Sequence, residues 1–213
     1  MMERPEILEQ IRLALGPDKI GRFCFICGAP GVSTEETPAG EIFVCHAAGH
    51  RSARAYIFDG KATFVFENNE LIHEATGAII QRRAGREQQT LLFLRRKFPY
   101  QYTIPAGHVE IGHAPEADMR REVKEETGLT VRRAVRLWPE GKLLLADPCR
   151  RGADFHRWHV FEVEAEGQPR LSDEGRIIGW YNNAEIHDLA ARELLTAPVY
   201  NIFAKLGLVS TAE

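Results

Sequence analysis

Apolar residues recur at Ile7, Leu8, Ile11 and Leu15 with the spacing of one helical face, and Gly16-Pro17 follows as a stop. The pattern predicts a short amphipathic helix over residues 5–15, whose role is packing. Between residues 21 and 61 the pattern breaks into short β-like runs at 42–44 and 55–58, separated by turn residues around 30–40. That is too little apolar material for a core of its own, so the segment needs a staple. From about residue 70 longer runs take over. Residues 75–81 and 90–94 predict strands that end in basic residues, and 102–105 leads into a glycine-containing loop. Residues 115–127 predict a helix, because Pro115 suits a first helical position and Gly128 suits the left-handed residue just past the end. Strands are expected again at 131–138, 142–146, 156–164 and 177–181, and residues 184–207 carry helical periodicity broken at Pro198. The expected organisation is an N-terminal helix (1–20), a small module (21–61) and one α/β domain (70–213).

Composition narrows the class. The chain has 213 residues, 44% hydrophobic and 27% charged, which places it among folded globular proteins of one or two domains and excludes a disordered tail or a fibrous repeat. Its net charge is 27 minus 30, or -3, so there is no global basic field for nucleic acid or an anionic membrane, and any phosphate recognition must be local. No apolar run approaches the ~18 residues of a membrane span, and the opening residues carry acids through their apolar positions, unlike a secretory signal. A cytoplasmic protein is expected. Four cysteines are too few for a disulfide framework, and three of them fall between residues 24 and 45, which points to metal.

The helix at 115–127 carries the chemistry. Glu122, Glu125 and Glu126 stand at i, i+3 and i+4, so at about 100° per residue they share one face. Glu122 and Glu126 repel as an i,i+4 like-charge pair, and the helix C-terminus disfavours Glu125 and Glu126 as anions. A hard divalent cation would reverse both penalties, since Mg²⁺ takes one or two protein carboxylates together with substrate phosphate oxygens. The alternative is a solvated charged face on which Arg121 pairs with Glu125.

The stretch from Gly107 to Leu129 resembles the Nudix box, G-x5-E-x7-R-E-U-x-E-E-x-G-U with U aliphatic: eight of nine specified positions match, seven of them in Arg121, Glu122, Val123, Glu125, Glu126, Gly128 and Leu129. The resemblance extends over roughly residues 72–205. It implies a Nudix-type α/β/α sandwich that binds Mg²⁺ or Mn²⁺ and hydrolyses a nucleoside diphosphate linked to another moiety. It also implies metal ligation by Glu122, Glu125 and Glu126, loop geometry from Gly107, a metal contact from the Ala106 carbonyl and a bracing ion pair from Arg121. Where the pattern has its first Glu this chain has His113, so the brace is expected to loosen and slow the enzyme. His113 reads as an exposed loop histidine, or as one that bonds a helix acid or a softer metal such as Mn²⁺.

Hydrolysis of a diphosphate needs cations on its oxygens and a base for water. The base is a box glutamate or an acid from a later loop, for which Glu174 is the candidate. Arg82, Arg83, Arg95, Arg96 and Lys97 could hold phosphates, and Phe98, Tyr100 and Tyr102 could stack on a base. The Pro105-Ala106-Gly107 turn resembles ADP-ribose and nucleotide-sugar hydrolases of the group, and the motif of its NADH-hydrolysing members does not follow the box. Two rivals keep the fold: a non-hydrolytic nucleotide sensor, and a hydrolase of RNA 5′ caps.

Cys24-x2-Cys27-x17-Cys45-x4-His50 offers the ligands of a tetrahedral structural Zn²⁺, and it resembles the zinc ribbon that precedes some Nudix domains. The position that would complete a second C-x-x-C is Ala48. Residues 21–61 balance four basic side chains (Arg22, Arg51, Arg54, Lys61) against four acidic ones (Glu35, Glu36, Glu41, Asp59), which argues against nucleic acid as a partner. Homodimer formation or lidding the active site fits the module better. Cys149 reads as a lone thiol.

Overall fold

The computed structural model describes residues 3–16, 19–38, 40–139 and 142–210, so Pro17 lies outside the described residues. The chain divides into two compact units. The first holds the residues up to Glu74 together with Glu110–Gly112 and Ala146–Arg157; the second holds Ala75–Val109, His113–Leu145 and the residues from Trp158 on. The first unit thus takes in two segments from later in the chain.

In the first unit α1 (Arg4–Ala14) opens with a capping box between Glu3 and Glu6. Its Ile7, Leu8 and Ile11 are buried against Phe23, Tyr56, Phe58 and Leu71. Each such side chain contributes at most about 1.5–3 kcal/mol. The helix therefore belongs to the core of this unit. Five short strands follow: β1 (Gly21–Cys24), β2 (Val32–Thr37), β3 (Gly40–Cys45), β4 (Arg51–Ser52) and β5 (Ala55–Phe58). β1 pairs with β5, and β2, β3 and β4 form a second small sheet. Only the stretches within β3 and β5 are visible as apolar runs. β2 is Val-Ser-Thr-Glu-Glu-Thr, with one buried side chain, and owes its conformation to pairing with β3. β6 (Phe64–Glu67) pairs with the start of β7 (Glu70–Ala84), placing Phe64 opposite His73.

The second unit is layered. β7 turns at Gly85, whose φ of 65° suits glycine, into β8 (Glu87–Arg95). β9 (Tyr102–Thr103), β10 (Ala106–His108), α2 (Pro115–Thr127), β11 (Thr130–Arg136), β12 (Leu144–Ala146), β13 (Phe155–Glu166), β14 (Gly175–Asn182), α3 (Asn183–Ala191) and α4 (Ala197–Lys205) complete the order. The central strands run β11-β13-β7-β8-β14, with β10 paired to β7 and β9 to β8. Successive strand residues face opposite sides, and the burial follows that rule. Ile79 and Leu92 pack with Ile186, Val199, Ile202 and Phe203 of α3 and α4, whereas Ala78, Ile80 and Leu91 pack with Met119 and Val123 of α2. A sheet apolar on both faces, with α2 on one and α3 and α4 on the other, is the expected α/β/α sandwich. Pro198 lies in the first turn of α4, so the periodicity of 184–207 belongs to two helices.

Candidate active site and cysteine cluster

α2 begins at Pro115 and ends at Gly128, which takes the left-handed conformation (φ 71°) and donates its N–H to the Lys124 carbonyl. Met119 and Val123 bury one face, and this leaves Arg121, Glu122, Glu125 and Glu126 along its border. Arg121 is a hub. Its Nη2 lies 2.8 Å from Glu122 Oε1, its Nη1 donates to Glu125 Oε2 at 2.9 Å, and its Nε donates to Asp118 Oδ1 at 3.2 Å. Burial alone would make the guanidinium less basic, but Glu122, Asp118 and Glu125 together raise its pKa, so it stays charged. Asp118 is 1% exposed, and His113 Nδ1 stands 3.0 Å from the same Oδ1. His113 therefore meets a helix acid, and Arg121 has a bracing partner in Asp118. Sequence reading passed over Asp118, although its i,i+3 spacing to Arg121 on a predicted helix was the available signal.

Across from α2 runs β10. A Cβ on Gly107 would lie 2.1 Å from Glu122 Oε1 and 2.4 Å from its Cδ, so any larger residue there would displace the Glu122 carboxylate. The neighbouring Ala106 N–H donates to Glu126 Oε2 at 2.9 Å. Glu126 is 7% exposed. Burial pushes Glu122 up to about 7, against the pull of Arg121 and with further upward pressure from Glu125 and Glu174. Burial also lifts Glu126 well above the usual carboxylate range, helped by Glu122 and Glu174 and opposed by the Ala106 N–H and Arg95.

Arg121, Glu122, Glu125, Glu126, Ser172 and Glu174 line one cleft of about 280 Å³. Glu174 precedes β14, and its carbonyl accepts the Arg96 N–H at 2.7 Å, which ties that loop to the residue after β8. A hollow of about 420 Å³ beside α3, lined by Tyr181, Ala184, Glu185, Asp188 and Leu189, offers no such convergence of carboxylates. Of the basic candidates, Arg95 acts on Glu126, whereas Arg82 stacks on Trp180 with its guanidinium 4.4 Å from the ring centroid. Phe98 is 82% and Tyr100 57% exposed, while Tyr102 packs edge-on against Tyr181 at 5.3 Å.

In the first unit one ligand atom from each of Cys24, Cys27, Cys45 and His50 lies within 4.8 Å of the others. Cys24 Sγ and His50 Nδ1 are 3.6 Å apart, and Cys27 and Cys45 Sγ 3.8 Å. With Zn–S of about 2.3 Å and Zn–N of about 2.0 Å, the edges of a tetrahedral site are about 3.5 Å for S···N and about 3.8 Å for S···S. The four side chains thus stand at zinc-like separations. Two matching turns build the cluster. Gly28 (φ 69°) returns its N–H to the Cys24 carbonyl, and Gly49 (φ 67°) returns its N–H to the Cys45 carbonyl, each at 2.9 Å. Ala48 occupies the place of Cys27 in the second turn, and His50 brings the fourth donor atom to the cluster. Burial pushes the Cys24 thiol up to about 11 in the metal-free chain. Burial likewise works against the Cys45 thiolate, but the N–H groups of Ala48 and Ala47 leave that thiol below its ordinary value.

The family model described as NUDIX domain matches residues 71–206. Among solved structures, the chain is similar to an Ap4A hydrolase binary complex from C. elegans, with 20% identity, 63% of this chain and 94% of that chain covered, and a TM-score of 0.50. It is also similar to the mMutator MutT protein from Bacillus halodurans (24% identity, 63% and 81% covered, TM-score 0.47). A third is the NUDIX domain of Shewanella oneidensis NrtR complexed with ADP ribose (12% identity, 62% and 84% covered, TM-score 0.47). At 20% identity the likeness to the Ap4A hydrolase is one of fold.

Proposed function

The chain belongs to the NUDIX family, and from that premise we propose that it hydrolyses the diphosphate bond of a nucleoside-diphosphate-linked small molecule with Mg²⁺ or Mn²⁺. ADP-ribose, nucleotide sugars and dinucleotides are the substrate classes intended. The observation that carries the reading is the convergence of Glu122, Glu125, Glu126 and Glu174 on one cleft around a single guanidinium. Buried Glu122 and Glu126 repel one another and both resist ionisation, which is the donor set a hard dication relieves. The space that a Cβ on Gly107 would fill is the space the Glu122 carboxylate uses.

Glu122, Glu125 and Glu126 are the proposed ligands, with the Ala106 carbonyl as a backbone ligand. Bound there, a dication supplies neutralisation of phosphoryl charge and a more acidic water. The protein's own groups do the rest. Arg121 is a positioning residue that holds Glu122 and Glu125 at fixed places, and Asp118 fixes Arg121 in turn. Glu174 lines the same cleft from the loop before β14 and is the proposed general base, taking the proton of the attacking water; a box glutamate is the alternative. The zinc-like separations of Cys24, Cys27, Cys45 and His50 support a structural Zn²⁺ that reinforces the small buried cluster of Val32, Phe43, Ala55 and Ile57 around the cysteines. Among the described residues no helix is long and apolar enough to cross a membrane.

The test is a panel of ADP-ribose, nucleotide sugars, dinucleotides, nucleoside triphosphates and capped RNA with Mg²⁺ or Mn²⁺, run beside Glu126→Gln. Turnover of a diphosphate-linked compound that the variant loses is expected. Saturable binding with no product on any compound would select the sensor reading, and product from capped RNA alone the cap-hydrolase reading.

A further inference from the structure

We propose a second soft-metal site in the first unit, built by His73, Cys149 and His156. Cys149 is not isolated in the fold. One ligand atom from each of these three side chains lies within 4.8 Å of the others. Cys149 Sγ stands 3.6 Å from His73 Nδ1, and the His73 and His156 rings meet edge to face with centroids 5.6 Å apart. The S···N separation equals the edge of a tetrahedral zinc site, about 3.5 Å, and matches the Cys24–His50 separation in the ribbon. Both imidazoles are in the interior, His73 at 0% and His156 at 3% exposure.

The backbone holds these side chains by means that do not involve them. His73 is on β7, at the register position opposite Phe64. His156 is on β13. Cys149 sits in the loop between β12 and β13, where its N–H donates to the Ala153 carbonyl at 2.9 Å and its carbonyl accepts from Arg54 Nε at 2.9 Å. Arg54 Nη2 also donates to the Ala153 carbonyl at 2.7 Å, so one guanidinium clamps the loop that presents the thiol. The Asp147 carboxylate lies 3.6 Å from His156 Nδ1, where a carboxylate orients a ligating imidazole. A thiolate with imidazoles selects a borderline-soft dication such as Zn²⁺ over Mg²⁺. Its effect would be to tie Ala146–Arg157 to β7 within the first unit, a closure between residues far apart in sequence.

Metal analysis of the full-length protein, purified without chelator, tests the assignment. About two zinc ions per chain are expected, with X-ray absorption giving an average of about two sulfur ligands per zinc rather than the about three of a ribbon site alone. Cys149→Ala should remove about one zinc and raise the average sulfur count, while Cys27→Ser should keep one zinc of sulfur-poor coordination. One zinc per chain with three sulfurs, unchanged by Cys149→Ala, overturns the proposal, as does a zinc-free Cys27→Ser chain. The native stoichiometry and sulfur count decide the matter even if either variant fails to fold.

Discussion

Gly107→Ala separates catalysis from stability more sharply than any other single change in the cleft. The added methyl would sit 2.1 Å from Glu122 Oε1, 2.4 Å from Cδ and 3.0 Å from Cγ. Ordinary contact needs about 3.5 Å, so the carboxylate must retreat by about 1 Å. What yields is a side chain and not backbone, which limits the overpacking cost to about 1–3 kcal/mol. The same displacement moves a proposed metal ligand off its place, and a misplacement of about 1 Å can lower a rate about 100-fold. Steady-state kinetics on the compound found in the substrate panel, across a Mg²⁺ titration, should give kcat/KM down about 100-fold with a weakened metal dependence, while urea denaturation shows a loss of no more than about 1–3 kcal/mol. Gly16→Ala, where an added Cβ meets nothing within 4 Å, serves as the control. A Gly107→Ala enzyme within about threefold of the native rate would refute the reasoning, because the close approach would then have no bearing on where Glu122 works.

Further outcomes follow from the same geometry. Glu122 rises to about 7 and Glu126 rises as well, so the metal-free chain keeps its full stability below the ordinary carboxylate pKa and loses stability as pH climbs through about 7. Its Tm should therefore fall between pH 5 and pH 8, and saturating Mg²⁺ should raise Tm more at pH 8 than at pH 5; equal shifts at both would count against ligation by these acids. Asp118→Asn removes a buried charge partner of Arg121 and should cost about 2 kcal/mol by urea denaturation, with a lower kcat. His113→Glu would restore the box pattern, but its carboxylate would face Asp118, now 3.0 Å from the imidazole, so no gain in rate is expected. A rise of more than about threefold would return the brace to position 113. Cys27→Ser should lower the zinc content by about one per chain and reduce Tm.

Much of the second unit was legible in the sequence because its signals are local. β7 and β8 contain apolar runs at residues 78–80 and 91–94, and α2 is bounded by Pro115 and Gly128, so pattern and caps agree. The acids of α2 could be placed on one face from their spacing alone. Asp118 escaped notice because its role depends on burial, which spacing does not report, and His113 could be read correctly only once that acid was seen beneath it. β2 was illegible because five of its six residues are polar or exposed and its partner strand decides its shape. The later segments of the first unit were hidden for a different reason. Nothing near Cys149 in the chain hints at His73, since strand pairing and loop closure bring them together.

One guanidinium serving Asp118, Glu122 and Glu125 makes the cleft tolerant of piecemeal damage. Glu125 is 57% exposed, so losing it alone leaves Arg121 tethered twice and costs little stability, whatever it removes from the proposed metal site. Losing Asp118 as well leaves one tether, and the two lesions together should exceed their sum. Redundancy of this kind concerns the fold of the helix alone: it makes the stability cost of losing one tether depend on which tether was lost before it.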